Sequence, residues 1–507
     1  MKNKIVSFEN LIKISKLKRN QNKKIILCHG VFDLLHIGHI KHLQEAKTFG
    51  DILIVTIAPD KFVQKGPNRP VFDSQLRLEA LQALECIDYV SINKWVTATD
   101  TIKLLKPHIY CKGPDYKKKE NDVTKKIYDE EKAINSIRGS IKFTSDISYS
   151  SSNLLNNFFN IYTDKQKKYL KEISKKLSFE NIKKSISKLQ SIKVLVLGET
   201  IIDKYVFCET LGKSGKEPML AMREIKTEEY YGGAVAVANH LSNFCKSIKL
   251  FTIIGEKKEY QKKIIKNVAR NVSLNFFYKD NSPTIVKKRF LDNINKNKIL
   301  GVYEINDELI NINHQIKIEK QLKKLKNKVD LIIVSDYGHG FLSKNTAKTI
   351  ATISNSVALN AQINAANLGL HTINNYKNLE TAVINEMELR QEMKDRNSEI
   401  KLLIKKLANK MKIKNFIITR GKNGLIYYDR MKNNYIKCPA FASNIVDKIG
   451  AGDAMLSILS LAFKAGLDKH LSLLLGSLAA AQSVESMGNS ISVDKDKILK
   501  IIQNLIK

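Results

Sequence analysis

Lys24-Ile-Ile-Leu-Cys28-His29-Gly30-Val-Phe32-Asp33-Leu-Leu-His36-Ile-Gly38-His39 is the stretch on which the fold turns. An apolar run ends in a glycine turn, and a helical period then runs from Ile37 to Lys47. A strand feeding a helix through a tight turn opens a parallel βαβ unit. Downstream, Asp51-Ile-Leu-Ile-Val-Thr-Ile57 reads as a second strand, Gln75–Leu84 as a helix and Tyr89–Ile92 as a short strand. A helix over Thr99–Leu105 and a strand at Ile109-Tyr-Cys111 follow, and the series stops near Asn157. Residues 160–191 are rich in Lys and Ser, lack Gly and Pro, and predict a solvated helical linker. A second series opens at Lys193-Val-Leu-Val-Leu-Gly198, with strands at Ile248–Ile254, Leu331–Ser335, Val383–Ile384, Phe416–Thr419 and Leu425–Tyr428. The expected fold is α/β, with two doubly wound parallel-sheet domains, 1–157 and 192–507, joined by a helical linker over 158–191. No repeat relates the halves.

Composition narrows the functions. With 507 residues and 43% hydrophobic content, two full-sized cores are expected rather than disorder. No apolar run is long enough to span a bilayer and Met1–Lys24 lacks a signal-peptide pattern, so the expected compartment is the cytoplasm, with no membrane partner. The six cysteines are far apart, form no CxxC pair and read as buried free thiols. The net charge of +35 raises nucleic-acid binding. Its lysines are dispersed among Asn and Ile, without an Arg-rich arm or a stacking platform, so no nucleic-acid partner is expected and anionic small substrates account for it.

The strand-to-helix junction at residues 28–39 carries the first chemistry. A helix start favours a bound polyphosphate through its amides and dipole. His36 and His39, three apart, reach one pocket, and Gly38 between them lets a phosphate approach the backbone. Two other readings stand beside this one. His36, His39 and His42 share metal-ligand spacing but lack a neighbouring carboxylate or Cys, and all three suit a plain helix surface.

The companions of this motif are informative. His29-Gly30-Val-Phe32-Asp33, His36-Ile-Gly38-His39, Lys65-Gly-Pro-Asn-Arg69-Pro, Arg77, Lys112-Gly-Pro-Asp-Tyr116 and Ser150-Ser151-Ser152 make residues 24–155 resemble the cytidylyltransferase-like nucleotidyltransferases. The likeness is to the adenylyltransferase half of bifunctional bacterial ADP-heptose synthases. It implies a Rossmann-like domain in which His36 and His39 stabilise charge on NTP phosphates during attack by a sugar phosphate. Lys65, Arg69 and Lys112 are implied phosphate and substrate cations, and Ser150, Ser151 and Ser152 cap the triphosphate. Mg2+ bridges phosphate oxygens in such chemistry, with no covalent intermediate. Relatives usually carry Thr as the third hydroxyl where this chain has Ser152, so the NTP is ATP or CTP.

The second half turns on Asp447-Lys-Ile-Gly450-Ala451-Gly452-Asp453, which opens a long apolar helix. Small residues leave backbone N–H groups aimed at one spot, an anion hole for a transferred phosphoryl group. A carboxylate directly after them takes the proton of an attacking hydroxyl. A Gly-rich turn with an N-capping Asp is the plain alternative. The motif resembles the signature of ribokinase-like (PfkB-type) carbohydrate kinases, whose order the chain follows from Ile192 onward. The resemblance implies Asp453 as catalytic base and Gly450, Ala451 and Gly452 as the hole. It places Asp203, Gly232, Gly233 and Asn239 at the sugar, and Asn385 and Glu388 at Mg2+ and phosphate. Thr419, Gly421 and Gly424 form the nucleotide turn, and Lys287 or Arg289 holds a phosphate already on the sugar. The region from Tyr205 to Tyr231 is an implied β lid that often pairs two subunits, so a homodimer is expected. Asp336 sits in the family loop, with His339 at its usual basic position. Asn360, Gln362, Asn364 and Asn367 stand where relatives carry a Lys-bearing motif, and their amides are read as sugar-hydroxyl ligands.

A bifunctional sugar kinase and sugar-phosphate nucleotidyltransferase using ATP, or ATP and CTP, is the expected function, supplying activated sugar for surface polysaccharide. Its order is inverted, since such enzymes normally place the kinase first. The alternative is a cytidylyltransferase for glycerol or ethanolamine phosphate fused to an unrelated kinase.

Overall fold

The computed structural model describes residues 3–63, 69–116, 126–145, 162–363, 367 and 371–505. Lys65, Ser150, Ser151, Ser152 and Asn364 lie outside them. The chain divides into two compact units, Met1–Lys167 with Asp496–Lys507, and Lys168–Lys495.

In the first unit, β1 (Ile25–Gly30), β2 (Ile52–Ile57), β3 (Tyr89–Ile92), β4 (Ile109–Lys112) and β5 (Ser140–Phe143) form a parallel sheet ordered β3-β2-β1-β4-β5. Both faces of β1 are buried, Ile26 and Cys28 in one apolar cluster and Ile25 and Leu27 in another. That is why the strand reads as a continuous apolar run rather than an alternating one. The strand order reverses between β1 and β4, and ligands bind outside the carboxyl ends of strands at such a switch point. The Ile37–Lys47 helix, carrying the histidines, starts there.

In the second unit, β6 (Lys193–Lys213) belongs to two layers. Its first half pairs in parallel with β8 (Ser247–Gly255) and β12 (Leu331–Asp336). Beyond these lie β9 (Val272–Lys279), and β13 (Val357–Ala361), β14 (Thr381–Asn385) and β15 (Asn415–Thr419), all parallel. The antiparallel β16 (Leu425–Asp429) and β17 (Asn434–Cys438) close that edge. The second half of β6 enters the lid that the kinase resemblance implies. There it pairs with β7 (Leu220–Gly233) and β10 (Val286–Asp292), and β10 pairs with β11 (Lys298–Glu304). One strand thus ties lid to core.

The segment read as solvated is corrected. Asp164–Lys176 and Phe179–Ser187 are helical, but Tyr169, Leu170, Ile173, Ile182 and Ile186 are buried. Tyr169 Oη donates to His470 O at 2.8 Å. Apolar residues spaced three and four apart form one buried stripe that the abundant lysines obscured.

Candidate active sites

His36 is the N-cap of the Ile37–Lys47 helix, its Nδ1 accepting from Gly38 N at 3.1 Å. The acceptor role of Nδ1 puts the ring proton of a neutral imidazole on Nε2, a donor suited to a phosphate oxygen. The rings of His36 and His39 stack with centroids 4.0 Å apart, so the two imidazoles do share one face. Phe32 meets His39 edge-on at 5.4 Å and is itself buried, so it positions that ring from behind. The Gly38 amide donates to His36 within the first turn of the helix rather than being held open.

Several residues expected at the nucleotide have partners inside the unit. Asp33 is fully buried and accepts from Val71 N and Phe72 N at 3.0 and 3.1 Å, with Arg69 Nη1 at 3.8 Å from its Oδ2. Arg77 donates to Val31 O and Ala58 O, fixing the loops after β1 and β2. Lys112, expected as a phosphate cation, is buried against Glu130 Oε2 at 2.9 Å. Burial alone disfavours both charges, yet each stabilises the other, holding the Lys112 pKa high and the Glu130 pKa low. Glu130 neutralises the lysine locally, so Lys112 orders the end of β4 rather than adding net positive charge. His29 bonds Thr56 Oγ1 through Nδ1 at 3.0 Å, and burial, reinforced by Lys112, lowers its pKa to about 4. It is a neutral imidazole at physiological pH.

In the second unit Gly450, at φ +88°, caps the Ala451–Lys464 helix, and Asp453 lies in its first turn. A Cβ on Gly450 would stand 2.0 Å from Asn489 Oδ1, so the turn admits no side chain. The turn is braced by Asp447, which accepts from Tyr205 Oη at 2.5 Å, Gly488 N at 3.1 Å and Lys298 Nζ of the lid at 2.6 Å. Burial raises the Asp453 pKa to about 7, Asp203 adds to that, and Tyr337 and Lys287 oppose it. Tyr337 Oη donates to Asp453 Oδ1 at 2.6 Å, a partner that sequence spacing did not reveal. A carboxylate poised near neutral pH is suited to general-base work.

Facing it, Asp203 on β6 pairs with Arg289 on β10, whose register sets Lys287 opposite Asp203. Lys287 is buried beside the rings of Tyr303 and Tyr337, and burial pulls its pKa down. Gly232 is glycine because a Cβ there would meet Asp203 Oδ2 at 2.6 Å. Gly233, at φ +64°, caps the Ala234–Ser242 helix. Gly232→Ala is expected to displace the Asp203 carboxylate. Overpacking of this kind costs about 1–3 kcal/mol, and a loss of that size at the acceptor site would raise the acceptor KM about 5- to 150-fold. Steady-state kinetics should show the ATP KM unchanged.

Other expected sugar ligands are engaged elsewhere. Asn239 donates to Asn267 O and accepts from Ala269 N. Asp336 accepts from Tyr376 Oη at 2.7 Å and Gly338 N at 3.0 Å. Asn360 donates to Val383 O, and Asn367 to Tyr337 O at 2.7 Å and Gln362 O at 3.3 Å. Asn360 and Asn367 thereby satisfy buried backbone carbonyls, which would be costly to orphan. The Gln362 side chain is exposed. His339 binds Asp307 Oδ1 through Nδ1 at 2.6 Å, while its buried Nε2 has no hydrogen-bond partner among the described residues. Asn385 and Glu388 form a reciprocal capping box on the Glu386–Met393 helix. Thr419 ends β15, and Gly421 and Gly424, at φ +54° and +76°, shape the turn after it.

Among the described residues no helix is long and apolar enough to cross a membrane. Residues 27–157 match the family model described as cytidylyltransferase-like. Over 137 residues the chain is 40% identical to the bifunctional protein HldE of Aliarcobacter butzleri, covering 27% of this chain and 29% of that one. The HldE of Geobacter metallireducens is 43% identical over 115 residues, 22% of this chain and 24% of the relative. The chain thus spans less than a third of the length of these curated relatives. Arabidopsis thaliana ribokinase complexed with ribose and ATP aligns over 62% of this chain and 99% of its own, at 16% identity and a TM-score of 0.48. Residues 191–496, more than half of the sequence, match the model described as pfkB family carbohydrate kinase. The chain belongs to the pfkB family of carbohydrate kinases.

Proposed function

We propose that the chain is a two-site enzyme that phosphorylates a sugar with ATP and transfers a nucleotidyl group from ATP or CTP to a sugar phosphate, giving an activated sugar for surface polysaccharide. The observation carrying the kinase half is Asp453, with a pKa near 7, facing the Asp203–Arg289 pair and Lys287. Asp453 takes the proton of an acceptor hydroxyl as its oxygen bonds the γ-phosphorus and the bond to ADP breaks. Asp203 orients acceptor hydroxyls, and the amides of residues 450–452 stabilise the transferring phosphoryl charge.

In the first unit a sugar-phosphate oxygen attacks the α-phosphorus of the NTP and pyrophosphate leaves. His36 and His39 donate to phosphate oxygens as negative charge builds. The HldE relatives are named bifunctional, and the presence of both matched families on this one chain, though in inverted order, supports the same pairing.

Glu388 fits a magnesium site in the kinase. It is buried, accepts from Asn385 N at 2.7 Å, and pairs with no cationic side chain among the described residues. A divalent cation held there, directly or through water, would neutralise its charge and that of the ATP phosphates.

Lys287 and Arg289 favour an acceptor that already bears a phosphate. Lys287→Met is expected to lower kcat/KM about 10- to 100-fold for a phosphorylated sugar, the loss of one charge-assisted contact of about 1.5–3 kcal/mol. The free sugar should change little, and equal losses on both would refute this assignment. The lid is proposed to pair two subunits, because β11 is exposed along its length with Ile299, Leu300 and Val302 open to solvent. Sedimentation should give a dimer for the wild type and a monomer for Leu300→Arg.

A further inference from the structure

Outside both proposed sites, the first unit gathers a second set of chemistry-bearing side chains. Cys28 on β1 and Cys111 on β4 lie opposite each other in the parallel register. His42 of the Ile37–Lys47 helix completes the group, and one ligand atom from each lies within 4.8 Å of the others. Both thiols are essentially unexposed, and His42 is partly exposed. His42 Nδ1 is held by Thr144 Oγ1 at 2.9 Å.

Two cysteines in an apolar cluster are ordinary packing, but an imidazole among them is not. Burying His42 costs hydration that a thiol does not repay, and a neutral apolar residue would fill the space more cheaply. A hydrogen bond from a neighbouring side chain to one ring nitrogen, as Thr144 makes, is the outer-shell feature typical of histidine ligands. We propose that Cys28, His42 and Cys111 bind a zinc ion that clamps β1 and β4 to the helix bearing His36 and His39. Binding releases the two thiol protons, and two thiolates cancel the charge of Zn2+. That neutrality suits a buried site better than the net negative charge left by a monovalent soft cation. A water entering on the partly exposed His42 side completes the tetrahedron.

The test uses the full chain, stripped with a chelator and desalted. Zinc alone should return to about one equivalent per chain, and Co2+ should give a thiolate-to-metal charge-transfer band. Cys28→Ser, Cys111→Ser and His42→Gln should each weaken zinc by tenfold or more and lose that band. Cys86→Ser should keep both, and a wild-type circular dichroism spectrum with a cooperative thermal transition of the first unit would confirm that each variant is folded. Thr144→Val should weaken zinc by about 10- to 100-fold, as outer-shell changes do. A wild type that retains no zinc and shows no charge transfer, or a zinc stoichiometry equal in all variants, would overturn the proposal. So would a Cys28–Cys111 disulfide in the protein isolated without reductant, because its sulfurs are no longer thiolates.

Discussion

Asp453→Asn should lower kinase turnover about 10²- to 10⁴-fold, the range attributable to a positioned general base, and leave nucleotidyl transfer within twofold of wild type. The amide keeps the shape and the Tyr337 contact but cannot accept the hydroxyl proton. The wild-type pH profile supplies an independent check. The base works ionised, and its pKa is raised to about 7 chiefly by burial. Kinase kcat/KM should therefore be flat above that pH and fall about tenfold per unit below it. Tyr337 stabilises the carboxylate through its hydrogen bond. Tyr337→Phe removes that bond, so the acidic limb should move to higher pH while the plateau changes less. A limb that stays in place would assign the titration to another group. A folded Asp453→Asn chain with both activities lost would refute two separate sites.

How far the sequence was legible depends on how local each relation is. The stacked pair His36 and His39 was readable because three-residue spacing on a helix fixes a shared face. The turn from Gly450 to Asp453 was readable for the same reason, since the capping glycine and the first-turn carboxylate lie within four residues. Relations set by strand register were not. Tyr337 reaches Asp453 across 116 positions, and Glu130 meets Lys112 through a helix packed on the next strand. Cys28 and Cys111 looked far apart and are neighbours because β1 pairs with β4.

Sequence did not reveal which polar residues have partners inside the fold. Asn239, Asp336, Asn360 and Asn367 have the chemistry of sugar ligands, yet their hydrogen bonds close loops. Composition tells how many amides a loop holds, not how many backbone groups it must satisfy. Asp33 and Lys112 likewise have partners inside the unit, and a charge with such a partner looks identical in sequence to one held for a phosphate. The geometry of the histidine pair and of the Gly turn is legible because each is made by its own segment.

The first unit makes the complementary prediction. His36→Ala and His39→Ala should each reduce nucleotidyl transfer about 10²- to 10³-fold, the loss seen when one preorganised donor to a developing charge is removed. Kinase rates should be unchanged. The losses should fall mainly in kcat, since both imidazoles act on charge that grows in the transition state rather than on the ground-state nucleotide. The two rings stack at 4.0 Å, and His36 also caps the helix that carries His39. Removing His36 thus frees the second ring and costs about 0.5–2 kcal/mol of helix capping. The double variant should therefore be no more than about tenfold worse than His36→Ala alone, well short of the product of the single effects. His36→Asn separates capping from catalysis, because its side-chain oxygen accepts from the helix amide but its donor is displaced. It should recover thermal stability without recovering rate. Rates that multiply in the double variant, or an active His36→Asn, would show that the histidines serve the helix and not the phosphates.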